Sequence, residues 1–141
     1  MFNLKKPSIM QLIYMSTPLE SVSEADLLRL VRDAQKYNTS SNISGFLIAD
    51  TKNIVQLIEG SQKDVNNLFD KIKKDIRHTN IEVLYKETSN ERVMPFLGMG
   101  LCFINSMINF NYDFYYTRLQ AQEFSGLIEG EVGRFFRQYL V

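Results

Sequence analysis

Short apolar runs alternate with helical stripes along this chain, and the polar punctuation between them marks out the elements. From Ile9 to Met15 an apolar run bounded by Pro7 and by Ser16-Thr17-Pro18 has the length of a buried strand. Ser23 with Asp26 three residues on is a capping-box signature, and Leu27, Leu30, Val31 and Ala34 recur at helical spacing. This predicts an amphipathic helix over residues 24–37 whose apolar face reaches position 38, occupied by Asn38. Ile43 to Ala49 and Ile54 to Ile58 read as strands joined by the polar loop Asp50-Thr51-Lys52-Asn53, and both are apolar on each face, as central strands covered on both sides would be. Gly60-Ser61 ends the second of them and opens another helix, with Ser61 and Asp64 as a second capping box and Val65, Leu68, Phe69, Ile72 and Ile76 on one stripe. Two further strands are predicted at Ile81 to Tyr85 and Phe96 to Ile104.

The order strand, helix, strand, strand, helix, strand, strand over residues 9–104 predicts an α+β fold, a ferredoxin-like βαββαββ sheet with both helices on one face. Asn105 to Val141 is rich in aromatics, and Val132, Phe135, Phe136 and Tyr139 mark a closing amphipathic helix, so a C-terminal helical cap is expected on the other face. Residues 1–104 are thus read as the core, and 105–141 as a cap and output segment of the same domain. Phe110, Tyr112, Phe114, Tyr115 and Tyr116 are expected mostly to cover the core, with a dimer surface as the other use.

Composition narrows the function classes. A chain of 141 residues has room for one domain with a core that needs no disulfide or metal. Sixteen basic residues balance sixteen acidic ones, and like charges run no longer than Lys5-Lys6 or Lys73-Lys74, which argues against nucleic acid as a partner. The single cysteine, Cys102, lies in Leu101-Cys102-Phe103-Ile104 and reads as a small buried hydrophobe in a reducing compartment. Met1 to Ser16 has two lysines before an apolar run, but Gln11 and Tyr14 interrupt that run, so it is read as a strand and not a leader. No apolar stretch approaches the roughly 20 residues of a membrane span, and a cytoplasmic protein is expected. His78 is the only histidine; the sequence lacks clustered metal ligands, and a serine or cysteine nucleophile would have this one base to recruit.

The informative residues are polar ones inside apolar elements, because burying an amide or hydroxyl without a partner costs roughly 2–7 kcal/mol. Gln56 lies mid-strand in Ile54-Val55-Gln56-Leu57-Ile58, and its amide needs donors and acceptors that aliphatic neighbours lack. Tyr14 alternates with Met10 and Leu12 on one strand face, so its hydroxyl needs a partner too. Asn38 either caps the end of the first helix or turns its amide toward a ligand. Lys71 and Asp75 are four apart on the second helix and suit an exposed ion pair, while Arg77-His78 reads as a cationic end to the same helix.

Taken together, Leu12-Ile13-Tyr14-Met15-Ser16, Asn38 with Asn42-Ile43-Ser44-Gly45-Phe46-Leu47, Val55-Gln56-Leu57-Ile58-Glu59-Gly60 and Asp75-Ile76-Arg77-His78 resemble the BLUF family of flavin photoreceptors in order and spacing, over residues 10 to 104. The resemblance implies a flavin, FAD with FMN as the second choice, held between the two helices with Tyr14 and Gln56 at its reactive edge. It further implies that Asn38 holds the pyrimidine edge, that Leu30 and Ile72 wall the ring, that Met99 lies near the glutamine, and that Lys71, Asp75, Arg77 and His78 belong to the flavin-binding stretch. The implied chemistry is no turnover of a substrate. It is a light-driven passage of an electron and a proton from the tyrosine and back, which leaves the glutamine amide rotated or tautomerised and passes the change through Met99's strand to a signalling protein or a second copy of the chain.

Leu97 stands where the family often has tryptophan, Ile54 where it commonly has an aromatic, and Lys71 where it has an arginine, whose planar fork a lysine lacks. Residues 105–141 are too few for a catalytic domain, so a stand-alone sensor is expected. The competing readings are a flavin-free interaction module and a ferredoxin-like hydrolase of the acylphosphatase kind. Against the hydrolase, Pro18-Leu19-Glu20 follows the first strand where a glycine-rich phosphate turn would be required.

Overall fold

The computed structural model of the chain describes residues 8–50, 52–106 and 108–140. Lys5-Lys6, the opening of the segment read as a strand, and Thr51 of the predicted loop lie outside them. Strand β1 (Ile9–Pro18) runs past Met15 through Ser16, Thr17 and Pro18. Helix α1 (Glu24–Ser40) starts at the predicted capping box: Asp26 N–H donates to Ser23 Oγ at 3.1 Å and Ser23 N–H to Asp26 Oδ2 at 2.9 Å. It ends at Ser40 rather than 37, which puts Asn38 inside the last turn and removes it from the capping role. Strands β2 (Ser44–Ala49) and β3 (Ile54–Gly60) are buried at every residue, as their two apolar faces require.

Helix α2 (Gln62–Lys74) is capped by Ser61, which accepts from Asp64 N–H; the box is half of the expected one, because Asp64 Oδ2 accepts from the Ser61 hydroxyl and not from its N–H. This helix stops two residues short of Ile76. Asp75 turns into extended backbone, so Ile76 leaves the apolar stripe and is 85% exposed. Arg77 and His78 therefore do not close α2, and His78 opens strand β4 (His78–Ser89), which is longer than Ile81 to Tyr85. Strand β5 (Gly100–Phe103) is shorter than predicted: Gly98 at φ +109° breaks the extended backbone, and Phe96 ahead of it is 76% exposed. Two helices follow, α3 (Arg118–Gly126) and α4 (Gly130–Tyr139), where the apolar pattern had predicted one. Thr117 caps α3 with its own capping box to Gln120.

The sheet order is β4-β1-β3-β2-β5, antiparallel throughout except for the parallel pair β2 and β5. This is the ferredoxin-like α+β arrangement with one added edge strand. Alternation sorts the side chains onto two faces. Met10, Leu12, Tyr14, Leu47 and Ile58 pack under Leu27 and Val31 of α1 and Val65 of α2. Ile13, Phe46, Ile48, Val55, Leu57 and Cys102 pack under Ala121 of α3 and Val132 and Phe136 of α4. Each fully buried aliphatic or aromatic side chain of these layers contributes roughly 1.5–3 kcal/mol. Among the described residues no helix is long and apolar enough to cross a membrane.

Candidate functional site

Register brings the two polar misfits together. Tyr14 on β1 sits directly opposite Gln56 on β3, and Leu47 on β2 flanks Gln56 on its other side. The Tyr14 hydroxyl donates to Gln56 Oε1, and Gln56 Nε2 donates to Met99 Sδ at 3.5 Å. Beside this relay β4 carries an extra residue, since Ile13 pairs with Tyr85 and Tyr14 with Val83, a bulge of the kind that re-aims side chains at functional sites. Gln56 is 8% exposed and Tyr14 is buried, so the amide has found both partners within the protein.

Above the pair lies a cavity of about 120 Å³, partly open to solvent, between α1, α2 and the sheet. Its walls are the apolar Leu27, Leu30, Ala34, Leu47, Ile54, Leu68 and Ile72, with Tyr14, Gln56 and Asn38 as polar points and Asp26, Asp75, Arg77 and His78 toward the rim. Asn38 is 1% exposed, and its Oδ1 has no hydrogen-bond partner. A buried acceptor left bare in the wall of a cavity calls for a ligand donor.

Charge at the rim is internally paired. Asp75 accepts from Arg77 Nε at 2.9 Å and Nη2 at 2.5 Å, which holds the carboxyl below its usual range, against the opposing effect of partial burial. Desolvation, reinforced by the Asp75 charge, pushes the Tyr14 phenol far above its ordinary value, so it stays a hydroxyl donor. His78 Nε2 lies 2.7 Å from the Ile72 carbonyl and therefore carries the proton; Nδ1, 2.8 Å from Ser16 Oγ, ties the end of α2 to β1.

Of the ten residues singled out in the sequence, Tyr14, Leu30, Asn38, Gln56, Ile72, Asp75, Arg77 and His78 line this cavity. Met99 reaches the Gln56 amide without lining it. Lys71 does not pair with Asp75: Asp75 is taken by Arg77, and Lys71 Nζ sits 4.0 Å over the Tyr37 ring, on a shallower hollow beside the cavity. Val22, Asp26, Leu27, Ala34, Leu47, Ile54 and Leu68 went unnamed as site residues, although helical spacing from Leu30 and Ile72 points to Leu27, Ala34 and Leu68.

The chemistry of this lining suits a flavin. Its flat apolar body suits the aliphatic lining, and the imide N–H between two carbonyls on its pyrimidine edge is a donor of the kind Asn38 Oδ1 lacks. The model of the family described as BLUF, sensors of blue-light using FAD, matches residues 9–100, and the chain belongs to that family. Subunit beta of the photoactivated adenylate cyclase of Euglena gracilis is 33% identical over 84 residues, 60% of this chain and 10% of that protein. Klebsiella pneumoniae BlrP1 with FMN and cyclic diGMP is 28% identical at a TM-score of 0.64, over 68% of this chain and 26% of that one. BlsA in its photo-activated state is 25% identical at a TM-score of 0.67, over 94% of this chain and 95% of that one. The chain thus spans about a tenth of the length of the curated cyclases it matches.

Proposed function

We propose that the protein senses blue light through a non-covalently bound flavin, with Tyr14, Gln56 and Met99 as a hydrogen-bond switch that is read by a signalling protein. The observation that carries this reading is the relay from the Tyr14 hydroxyl through the Gln56 amide to Met99 Sδ, set beside the bare Asn38 oxygen. A bound flavin supplies absorption in the blue and an excited state that accepts an electron. Tyr14 parts with an electron and its hydroxyl proton together, since burial disfavours the phenolate, and Gln56 Oε1 is the acceptor in place for that proton. With a proton gained at Oε1 the amide would release one from Nε2, which leaves it neutral as its tautomer or free to rotate, and Nε2 would leave Met99 Sδ. Both particles return to Tyr14, so nothing is consumed.

Asn38 holds the pyrimidine edge, Leu30 and Ile72 wall the ring, and Asp75, Arg77 and His78 shape the rim, with Lys71 as a point charge beside it for a phosphate. FAD is the proposed flavin and FMN the alternative, decided by chromatography of the released cofactor. Cyclase activity belongs to the relatives; for this chain we propose sensing without turnover, in the cytoplasm, with output through a protein contact or self-association.

Purified protein is expected to be yellow and to show a small reversible red shift of its flavin absorption under blue light. A colourless preparation that takes up neither FAD nor FMN overturns the reading. Gln56→Leu is expected to keep the flavin and lose the red shift; survival of the shift would remove the amide from the mechanism.

A further inference from the structure

Met99 is the one member of the relay outside regular structure. The β2 to β5 ladder begins one residue later, with Phe46 opposite Gly100, so the Met99 backbone finds no strand neighbour there. Gln35 of α1 supplies one. Met99 N–H donates to Gln35 Oε1 at 2.9 Å, and Gln35 Nε2 donates to the Met99 carbonyl at 2.5 Å. A primary amide presents a donor and an acceptor as a peptide group does, so one side chain stands in for a strand.

The surroundings are cleared for this contact. Gly98 adopts φ +109°, its N–H donates to the Ile43 carbonyl at 2.8 Å, and a Cβ on it would collide with Gln35 Oε1. On the other side a Cβ at Gly45 would lie 2.9 Å from Met99 Cε. A thioether on three rotatable bonds is a loose partner, and sulfur is a weak acceptor. Fixing the Met99 backbone is what makes that weak contact reproducible.

We propose that Gln35 is the positioning residue of the switch: it clamps Met99 so that Sδ meets Gln56 Nε2, and thereby favours the amide orientation present in this structure. The proposal rests on the photoreceptor reading. Gln35 is three residues before Asn38, so a single turn of α1 carries both the clamp and the bare acceptor in the cavity wall. Releasing Met99 weakens the present orientation relative to the rearranged one, and the rearranged state then outlives its normal span.

Gln35→Leu removes the clamp from the helix, and Gly98→Ala obstructs it from the loop. In the ligand-free chain, amide hydrogen exchange at Met99 is expected to accelerate at least about tenfold in both variants, a readout that requires no flavin. In the flavin-loaded chain, thermal return of the red-shifted spectrum is expected to slow roughly fivefold, the scale set by one net hydrogen bond. Unchanged exchange at Met99 in both variants overturns the clamp. Faster exchange with a return rate within twofold of the parent overturns its role in the switch. If the parent chain binds no flavin, the photoreceptor reading fails and takes the switch proposal with it, while the exchange data still report the clamp by itself.

Discussion

The two faces of the sheet treat buried polar groups in opposite ways. On the face under α3 and α4, Glu59 is fully buried, and its carboxyl accepts from Gln11 Nε2, the Ser44 hydroxyl, and the N–H groups of Val93 and Met94. Arg92 completes that network by donating to Ser44 Oγ and to the carbonyls of Glu59 and Asn42. On the face under α1 and α2 a cavity stays open and Asn38 Oδ1 stays bare, as does the Tyr115 hydroxyl at a point that does not line the cavity. A satisfied buried network stabilises a fold, whereas a bare acceptor beside open space costs stability until something fills it. The capped face is architecture, and the helix face is the one organised for a ligand.

That contrast is open to attack, most strongly through the cap. Phe136 is fully buried 5.8 Å from the Phe46 ring, and Phe136→Ala is expected to cost about 3–5 kcal/mol in urea unfolding. Glu59→Leu strands four donors at once and is expected to cost about 3 kcal/mol by the same measurement; a loss below about 1 kcal/mol would mean the network contributes little. Asn38→Leu has the reverse sign. Removing an unmet buried acceptor is expected to raise the stability of the ligand-free chain by up to about 1 kcal/mol and to weaken flavin retention at least about tenfold. If ligand-free stability fell as it does on the cap side, the two faces would not differ.

The smallest effect is on titration. With its folded value raised above 10.0, Tyr14 contributes stability that is fully present below pH 10.0 and lost as pH rises further. The difference in phenolate absorbance between the parent and Tyr14→Phe is expected to stay flat until the chain unfolds. A phenolate forming at Tyr14 in the folded protein would contradict the burial of the relay.

Local pattern was enough for the core elements, since capping boxes and apolar spacing act over a few residues, but it erred where tertiary contacts take over. Ile76 continued the apolar stripe of α2, yet Asp75 leaves the helix, is held by Arg77, and carries Ile76 into solvent. Phe96 and Leu97 read as strand, but Gly98 takes the conformation that lets Gln35 reach Met99. The missed helix α3 has a weak apolar stripe, and Thr117 with Gln120 was its legible signal.

Composition and sequence order determined the class: an α+β core, with Tyr14 and Gln56 as polar intruders in strands and enough motif to place the chain among the BLUF proteins. Only the tertiary structure decided which intruders meet. Register is a long-range property, and shifting β1 by one residue against β3 would turn Tyr14 to the capped face and away from Gln56. The same holds for Gln35, an unremarked polar residue on a helix until folding sets it against Met99, because a side chain that substitutes for a strand leaves no periodic trace in sequence.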